Sequence, residues 1–401
     1  MQRIYLDHNA TTPLHSEVRE AMMPYMMEHF GNGSSIHAYG REARNAIDTA
    51  REQVADLIGA KSPSEIVFTS CGTEADNYAV KGIAEFQKNR YGKNHIITSS
   101  VEHHAVLHTC QHLEKHGFEV SYLPVDRYGR IQIENLSEAI RDTTILVSIM
   151  HANNENGTIQ PIEDVCEIAG SHGIPVHTDA VQSVGKLPLN VQELGVNLLT
   201  LSAHKFYGPK GIGALYTRRG TRLENLIHGG THERNRRAGS ENVPAIVGMG
   251  AAAALAKKHR ESYSQHLNRL TNKLRTGLHE RLTNIYENSH PEYCLPGTLN
   301  ISFEFVEGES LILRLDMEGI CVSTGSACTS GSMEPSHVLA ALGISPQLAQ
   351  GTVRFSLGKD NTQGEIEEVV EKVPAIVEQM RAISPVYKKK MKRDANPRNI
   401  Q

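Results

Sequence analysis

The chain has 401 residues, 39% hydrophobic and 21% charged, with a formal net charge of −4. That length suits one large domain plus a smaller one, each with its own core. The charge balance argues against nucleic acid or an anionic membrane as a main partner, and no stretch approaches the ~18 uninterrupted apolar residues of a bilayer span. The start, MQRIYLDHNATTP, puts acidic and polar residues where a secretory signal needs an apolar centre. Cys71, Cys110, Cys166, Cys294, Cys321 and Cys328 contain no CxxC pair. This argues against a disulfide framework or a structural zinc site and points to reduced thiols in a cytoplasm.

Ile4, Tyr5 and Leu6 read as a short strand, and Asp7-His8-Asn9-Ala10-Thr11-Thr12-Pro13 as a turn into a helix from near Ser16. A Gly/Ser/Asn loop over 30–37 precedes a helix from about Tyr39 to Ile58. A repeating unit then appears, an apolar strand ending in a polar loop followed by a helical pattern. Ile66-Val67-Phe68 leads to Gly72-Thr73-Glu74, and Ile96-Ile97-Thr98 leads to Glu102-His103-His104. Ile145–Ile149 leads to His151-Ala152-Asn153-Asn154, Ile174–Thr178 to Asp179-Ala180-Val181-Gln182, and Leu198–Leu201 to Ser202-Ala203-His204-Lys205. The alternation predicts an α/β protein with a mainly parallel sheet covered by helices on both faces. Ligands of such sheets bind beyond the carboxyl ends of the strands, where these polar clusters sit. A helical tract from about Val243 past Leu282 holds a domain boundary near Glu261, and an α+β domain follows. The run Lys388–Arg393 reads as a solvated, partly disordered tail.

Several residues carry chemistry, each with a plainer alternative. Lys205, at the end of a buried strand and held by turn residues, is placed for a desolvated amine that forms Schiff bases, or it is a solvated surface lysine. Gly72 and Thr73 open a helix whose free N–H groups suit a phosphate, unless Thr73 is only a cap. Asp179 suits a protonated ring nitrogen and Gln182 a ring hydroxyl, or Asp179 caps a turn. His103 can stack on an aromatic ring and move protons; a His103-His104 metal site lacks a third ligand. Arg354, in a strand-like run over 351–356, suits a carboxylate or a structural salt bridge. Cys328 lies among glycine and hydroxyl residues, which predicts an accessible thiol on an exposed loop.

In order along the chain, YLDHNATTP, TSCGTEADN, VEHHAV, HANNENGTIQPI, HTDAVQ, SAHKFYGPKGIG, RAGSENV and GSACTSGSMEPSHVL resemble the cysteine desulfurases of the NifS/IscS type, class-V aminotransferases that use pyridoxal 5′-phosphate. The resemblance implies the aspartate-aminotransferase-like fold of these transferases. It implies a large cofactor-binding domain over 16–261, and a small domain from 1–15 and 262–401 carrying a mobile cysteine loop at about 322–334. It makes Lys205 the cofactor's Schiff-base lysine and His103 the stacking acid/base. Asp179 holds the ring nitrogen, Gln182 the ring oxygen, and Gly72, Thr73, Ser202 and His204 the phosphate, with Ser240 arriving from the other subunit of a homodimer. Asn153 and Arg354 fix the substrate carboxylate, Asn153 also lying close to the cofactor. Ala203 replaces a common glycine while keeping a backbone N–H, Ser240 replaces threonine, and Cys71 is a small packing residue. The implied reaction converts L-cysteine to L-alanine and leaves a persulfide on Cys328, for an iron–sulfur scaffold or other sulfur acceptor. Cys328 is also the implied iron–sulfur ligand shared with such a scaffold. A selenocysteine lyase or desulfinase on the same fold, an ordinary aminotransferase, and a non-catalytic sulfur-relay partner are the alternatives.

Overall fold

The computed structural model describes residues 3–324 and 336–394. Twelve strands are present among them: β1 (Ile4–Tyr5), β2 (Ile66–Thr69), β3 (His95–Ser99), β4 (Glu119–Leu123), β5 (Thr144–Ser148), β6 (Val176–Asp179), β7 (Leu198–Ser202), β8 (Gly213–Thr217), β9 (Ile285–Glu287), β10 (Thr298–Phe303), β11 (Ile320–Cys321) and β12 (Thr352–Ser356). One seven-stranded sheet runs in the order β2-β8-β7-β6-β5-β3-β4. Strands β7, β6, β5, β3 and β4 are mutually parallel, and β8 is antiparallel to both β7 and β2.

The central strands are apolar on both faces because both faces are covered. Phe68, Ile97, Val147, Leu199 and Ala214 belong to one core, whereas their neighbours Val67, Ile96, Leu146, Leu198 and Leu215 belong to the opposite one. This alternation fixes register, since a one-residue slip would exchange the two sets. The expected α/β architecture is therefore present. A further core surrounds the antiparallel sheet β12-β10-β9 and takes in Ile4 and Leu6 from the N-terminal end. The helix Val243–Arg281 spans both regions: Ala245 to Ala256 pack in the first core, and Leu267 to Leu278 in the further one.

Three features differ from the sequence expectations. Strand β8 follows the glycine-rich turn after Lys205 as an antiparallel strand in the otherwise parallel run, an element that the strand–loop–helix repeat does not include. Gly213 is needed there, because a Cβ would lie 2.5 Å from the backbone carbon of Cys71. Strand β4 closes one sheet edge, and its exposed or half-buried residues give a weak pattern. Residues 385–394 form a helix rather than a disordered tail. Its Lys390 ammonium lies 4.9 Å from the centre of the Phe305 ring and bonds Asn284 Oδ1 at 2.8 Å, contacts that a composition-based reading does not reveal.

Candidate active site

A cavity of about 390 Å³ opens at the carboxyl ends of the parallel strands. Gly72, Thr73, His103, Asp179, Gln182, Ser202, His204, Lys205 and Arg354 all line it. Asp179 and Ser202 are the last residues of β6 and β7, and Lys205 closes the single 3₁₀ turn Ala203–Lys205 that follows. His103 caps the helix His104–Glu114 just beyond β3, its Nδ1 accepting from the Ala105 N–H at 3.1 Å. Buried strands thus set the height of each side chain, and short turns aim it.

Thr73 is not a helix cap. The helix Gly72–Tyr91 begins after Cys71, whose side chain makes no capping hydrogen bond, so among the described residues no side chain caps the amide end. The N–H groups there remain available to an anion. A Cβ on Gly72 would lie 3.0 Å from Val181 Cγ2 and 3.4 Å from Ser202 Cβ, so the glycine lets that amide end meet the cavity floor.

The chamber is electrostatically tuned by burial. Desolvation pushes the Asp179 carboxyl up to about 6, against the pull of the Val181 N–H and the Lys205 charge. Asp76, also in the wall, is raised well above the ordinary carboxylate range by complete burial and by Asp179. Burial and the Lys205 charge lower His103 to about 4, so its imidazole is neutral near pH 7. With Nδ1 occupied as an acceptor, the ring proton sits on Nε2. His204 is likewise lowered to about 4, with Nδ1 3.1 Å from Thr11 Oγ1.

Lys205 Nζ donates to the carbonyl oxygens of Asn9 and, at 2.9 Å, Ala10. Gln182 Nε2 donates to the same Asn9 carbonyl at 3.0 Å. Arg354, 2% exposed, reaches in from β12. Its Nη1 donates to the Asn154 carbonyl and its Nη2 to Asp7 Oδ1, each at 2.7 Å, while its buried Nε has no partner among the described residues.

Five expectations need correction or placing. Asn153 does not reach the cavity: its Nδ2 donates to the Val101 carbonyl at 2.9 Å, and its Oδ1 accepts from the Glu155 and Asn156 N–H groups at 2.8 and 3.1 Å. Its amide is consumed in holding the loop, and the next residue, Asn154, lines the cavity instead. The Ala203 N–H is spent on the Ile212 carbonyl at 3.2 Å, so it is not a free donor. Cys71 is not merely packed, because it forms part of the cavity wall. Ser240 is exposed and lies in a different surface pocket, beside Phe30 and Gly31 to Gly33. Cys328 lies outside the described residues. The chain enters 325–335 from beside Arg354, whose N–H donates to the Ser323 carbonyl at 2.7 Å. It returns at Ser336, whose Oγ donates to Glu155 Oε2 at 2.6 Å. Residues Asn9, Ala10, Asp76, Met150 and Asn154 join the cavity without having been singled out.

The class-V aminotransferase family profile matches residues 4–369, and the chain belongs to that family. A protein of Dictyoglomus turgidum named cysteine desulfurase IscS is 53% identical over 391 residues, covering 98% of both chains. A solved NifS-like protein superposes with a TM-score of 0.88 at 42% identity, over 94% of this chain and all 100% of its own. Another, titled SspA in complex with cysteine, gives a TM-score of 0.77 at 41% identity over 89% of this chain and 99% of its own. Within the family these kin place the chain among the cysteine desulfurases of the NifS/IscS type, enzymes whose cofactor is pyridoxal 5′-phosphate.

The residues present fit that cofactor. An uncapped helix end beside a glycine suits its phosphate, a buried carboxylate suits its ring nitrogen, and Lys205 lies in the same chamber. A bound pyridinium would supply the opposite charge that lets Asp179 ionise fully. Gly72→Val is expected to weaken cofactor binding about tenfold or more by filling the phosphate end, with the helix otherwise intact; cofactor titration followed by fluorescence measures this.

Protonation of buried imidazoles sets the acid side of stability. His8, His95, His103, His151 and His204 are lowered to about 4 and His177 to about 3, all chiefly by burial. A lowered folded-state value means stability is present above about 6.5, the ordinary imidazole value, and is lost as pH falls toward 4. Glu102, raised to about 8 by burial, and Asp76, Asp179 and Glu155, also raised by burial, oppose this. The six imidazoles outnumber these four carboxyls, so the melting temperature is expected to fall between pH 7 and 5. A melting temperature that holds or rises on acidification would contradict these assignments.

Proposed function

We propose that the chain takes sulfur from L-cysteine, releases L-alanine, and receives the sulfur on Cys328 as a persulfide for transfer to an iron–sulfur scaffold or another acceptor. The observation that carries this is the convergence of Lys205, His103, Asp179 and an uncapped helix end on one cavity. Pyridoxal phosphate, when bound, supplies an electron sink for negative charge developing at the amino acid's α-carbon. Lys205 Nζ would tether it, Asp179 would keep its ring nitrogen protonated, and Gln182 Nε2 would donate to its ring oxygen. Thr73, Ser202 and His204 would hold its phosphate. His103 would offer a proton at Nε2. Arg354 binds the substrate carboxylate with the donors left after Asn154 and Asp7, and Asn154 takes the place first assigned to Asn153. The net change is balanced: the cysteine sulfur leaves its β-carbon for the Cys328 thiol, and the β-carbon gains a proton.

The second subunit belongs to the same proposal. Leu14, Met23, Met26, Met27, Phe30, Ile36 and Tyr39 are exposed, Ile36 by 91%, a concentration of apolar surface that a monomer rarely leaves open. Ser240 shares a pocket with Phe30 on that surface, so a second copy covering it would carry Ser240 toward the partner's phosphate site. We divide the chain at Glu261, where the long helix passes from one core to the other, and place the enzyme in the cytoplasm. Among the described residues no helix is long and apolar enough to cross a membrane. The purified protein should be yellow and form alanine from L-cysteine in equal amount to the sulfur released. A colourless protein that forms none would overturn the reading.

A further inference from the structure

Lys186 has no part in the chemistry above, yet it sits against it. Its ammonium donates to Asn9 Oδ1 at 2.7 Å and to Gln182 Oε1 at 3.4 Å. The same Asn9 receives Lys205 Nζ and Gln182 Nε2 on its backbone carbonyl. Asn9 is itself buried and pinned, its Nδ2 donating to Thr298 Oγ1 and its N–H to Ser356 Oγ, each at 3.0 Å. Two lysines are therefore held around one fixed residue.

Both described hydrogen bonds of Lys186 end on uncharged amide oxygens. The charged groups that act on it are Lys205 and Arg354, and both are cationic. Arg354 is offset by Asp7, Asp179 faces Lys205, and His8 is kept neutral by burial. Two ammonium groups in such a setting compete, since charge on one disfavours a proton on the other.

We infer that Lys186 is a positioning residue for the cofactor lysine: its ammonium sets a second positive charge near Lys205, favouring an unprotonated nitrogen there, and occupies Gln182 Oε1 so that the Nε2 end is the donor. Consistent with this, burial and the two neighbouring cations draw Lys186 down to about 7, where its charge responds to that of Lys205. The inference rests on the reading that Lys205 binds the cofactor.

The test compares wild-type, Lys186→Met and Lys186→Arg holoenzymes by titrating the visible absorption of the bound cofactor from neutral to alkaline pH. Methionine removes the charge and arginine makes it permanent. The absorption midpoint should be higher in Lys186→Met than in Lys186→Arg by about one pH unit or more, with wild type between them. Should Lys186→Met not fold, a midpoint lower in Lys186→Arg than in wild type supports the inference. Equal midpoints in all holoenzymes obtained would overturn it, whatever their melting temperatures, and would leave the role of Lys205 standing. A wild type with no visible band would overturn that role and this inference together.

Discussion

Lys205→Ala is expected to lower the rate of alanine formation by about 10³-fold or more, because it removes the lysine amine that lines the chamber and can bond the cofactor covalently. The fold should survive. Lys205 ends a short 3₁₀ turn whose neighbours Ala203 and Phe206 are buried in the main core, and its two carbonyl partners, on Asn9 and Ala10, belong to a loop held independently by Thr298 and Ser356. The variant should therefore melt within a few degrees of wild type while losing its cofactor on dialysis. Borohydride reduction of wild type should fix the cofactor to the peptide containing Lys205. Near-normal turnover in the variant would contradict the assignment.

Arg354→Leu should have two separable consequences. Arg354 is almost fully buried and pairs with Asp7, whose side chain is 20% exposed. Removing the cation leaves that carboxylate without its partner, at a cost of about 2–4 kcal/mol, somewhat below that of a fully buried pair. The loss of a charge-assisted bond to the substrate carboxylate should raise KM roughly 10- to 100-fold. Arg354→Lys separates the two effects. It keeps a charge for Asp7 but lacks the fork that also reaches the Asn154 carbonyl. Its stability should recover more than its KM. Unchanged KM in both variants would remove Arg354 from substrate binding and leave it a structural role.

Residues that directly follow a buried strand were readable in the sequence. Asp179, Ser202, Lys205 and His103 stand at strand ends marked by apolar runs, and the end of a parallel strand is where this architecture binds ligands. Asn153 shows where that reading loses resolution. A strand has a period that assigns faces, but the loop after β5 has none, so nothing local told Asn153 from Asn154. Asp76 lies in the opening turns of an amphipathic-looking helix, where an acidic residue resembles a solvent-facing one; only the helix's placement over β6 and β7 buries it. Asn9 depends on contacts with Thr298 and Ser356, which are 289 and 347 residues away, and no local pattern encodes them. The same holds for Lys186, a lysine that reads as surface until its partners are known. Leu14, Met23, Met26, Met27, Phe30, Ile36 and Tyr39 are apolar at positions that this chain leaves uncovered, and no periodicity within one chain accounts for them.

The most direct test is to expose the holoenzyme to L-cysteine without an acceptor and determine the mass of the peptide containing Cys328. The account predicts that this peptide gains one sulfur atom and that L-alanine appears in equal amount. Cys328→Ser should retain the cofactor's visible absorption and lose both products. A Cys328→Ser enzyme that forms alanine from L-cysteine at the wild-type rate would contradict it, and would mean that sulfur leaves the substrate without this thiol.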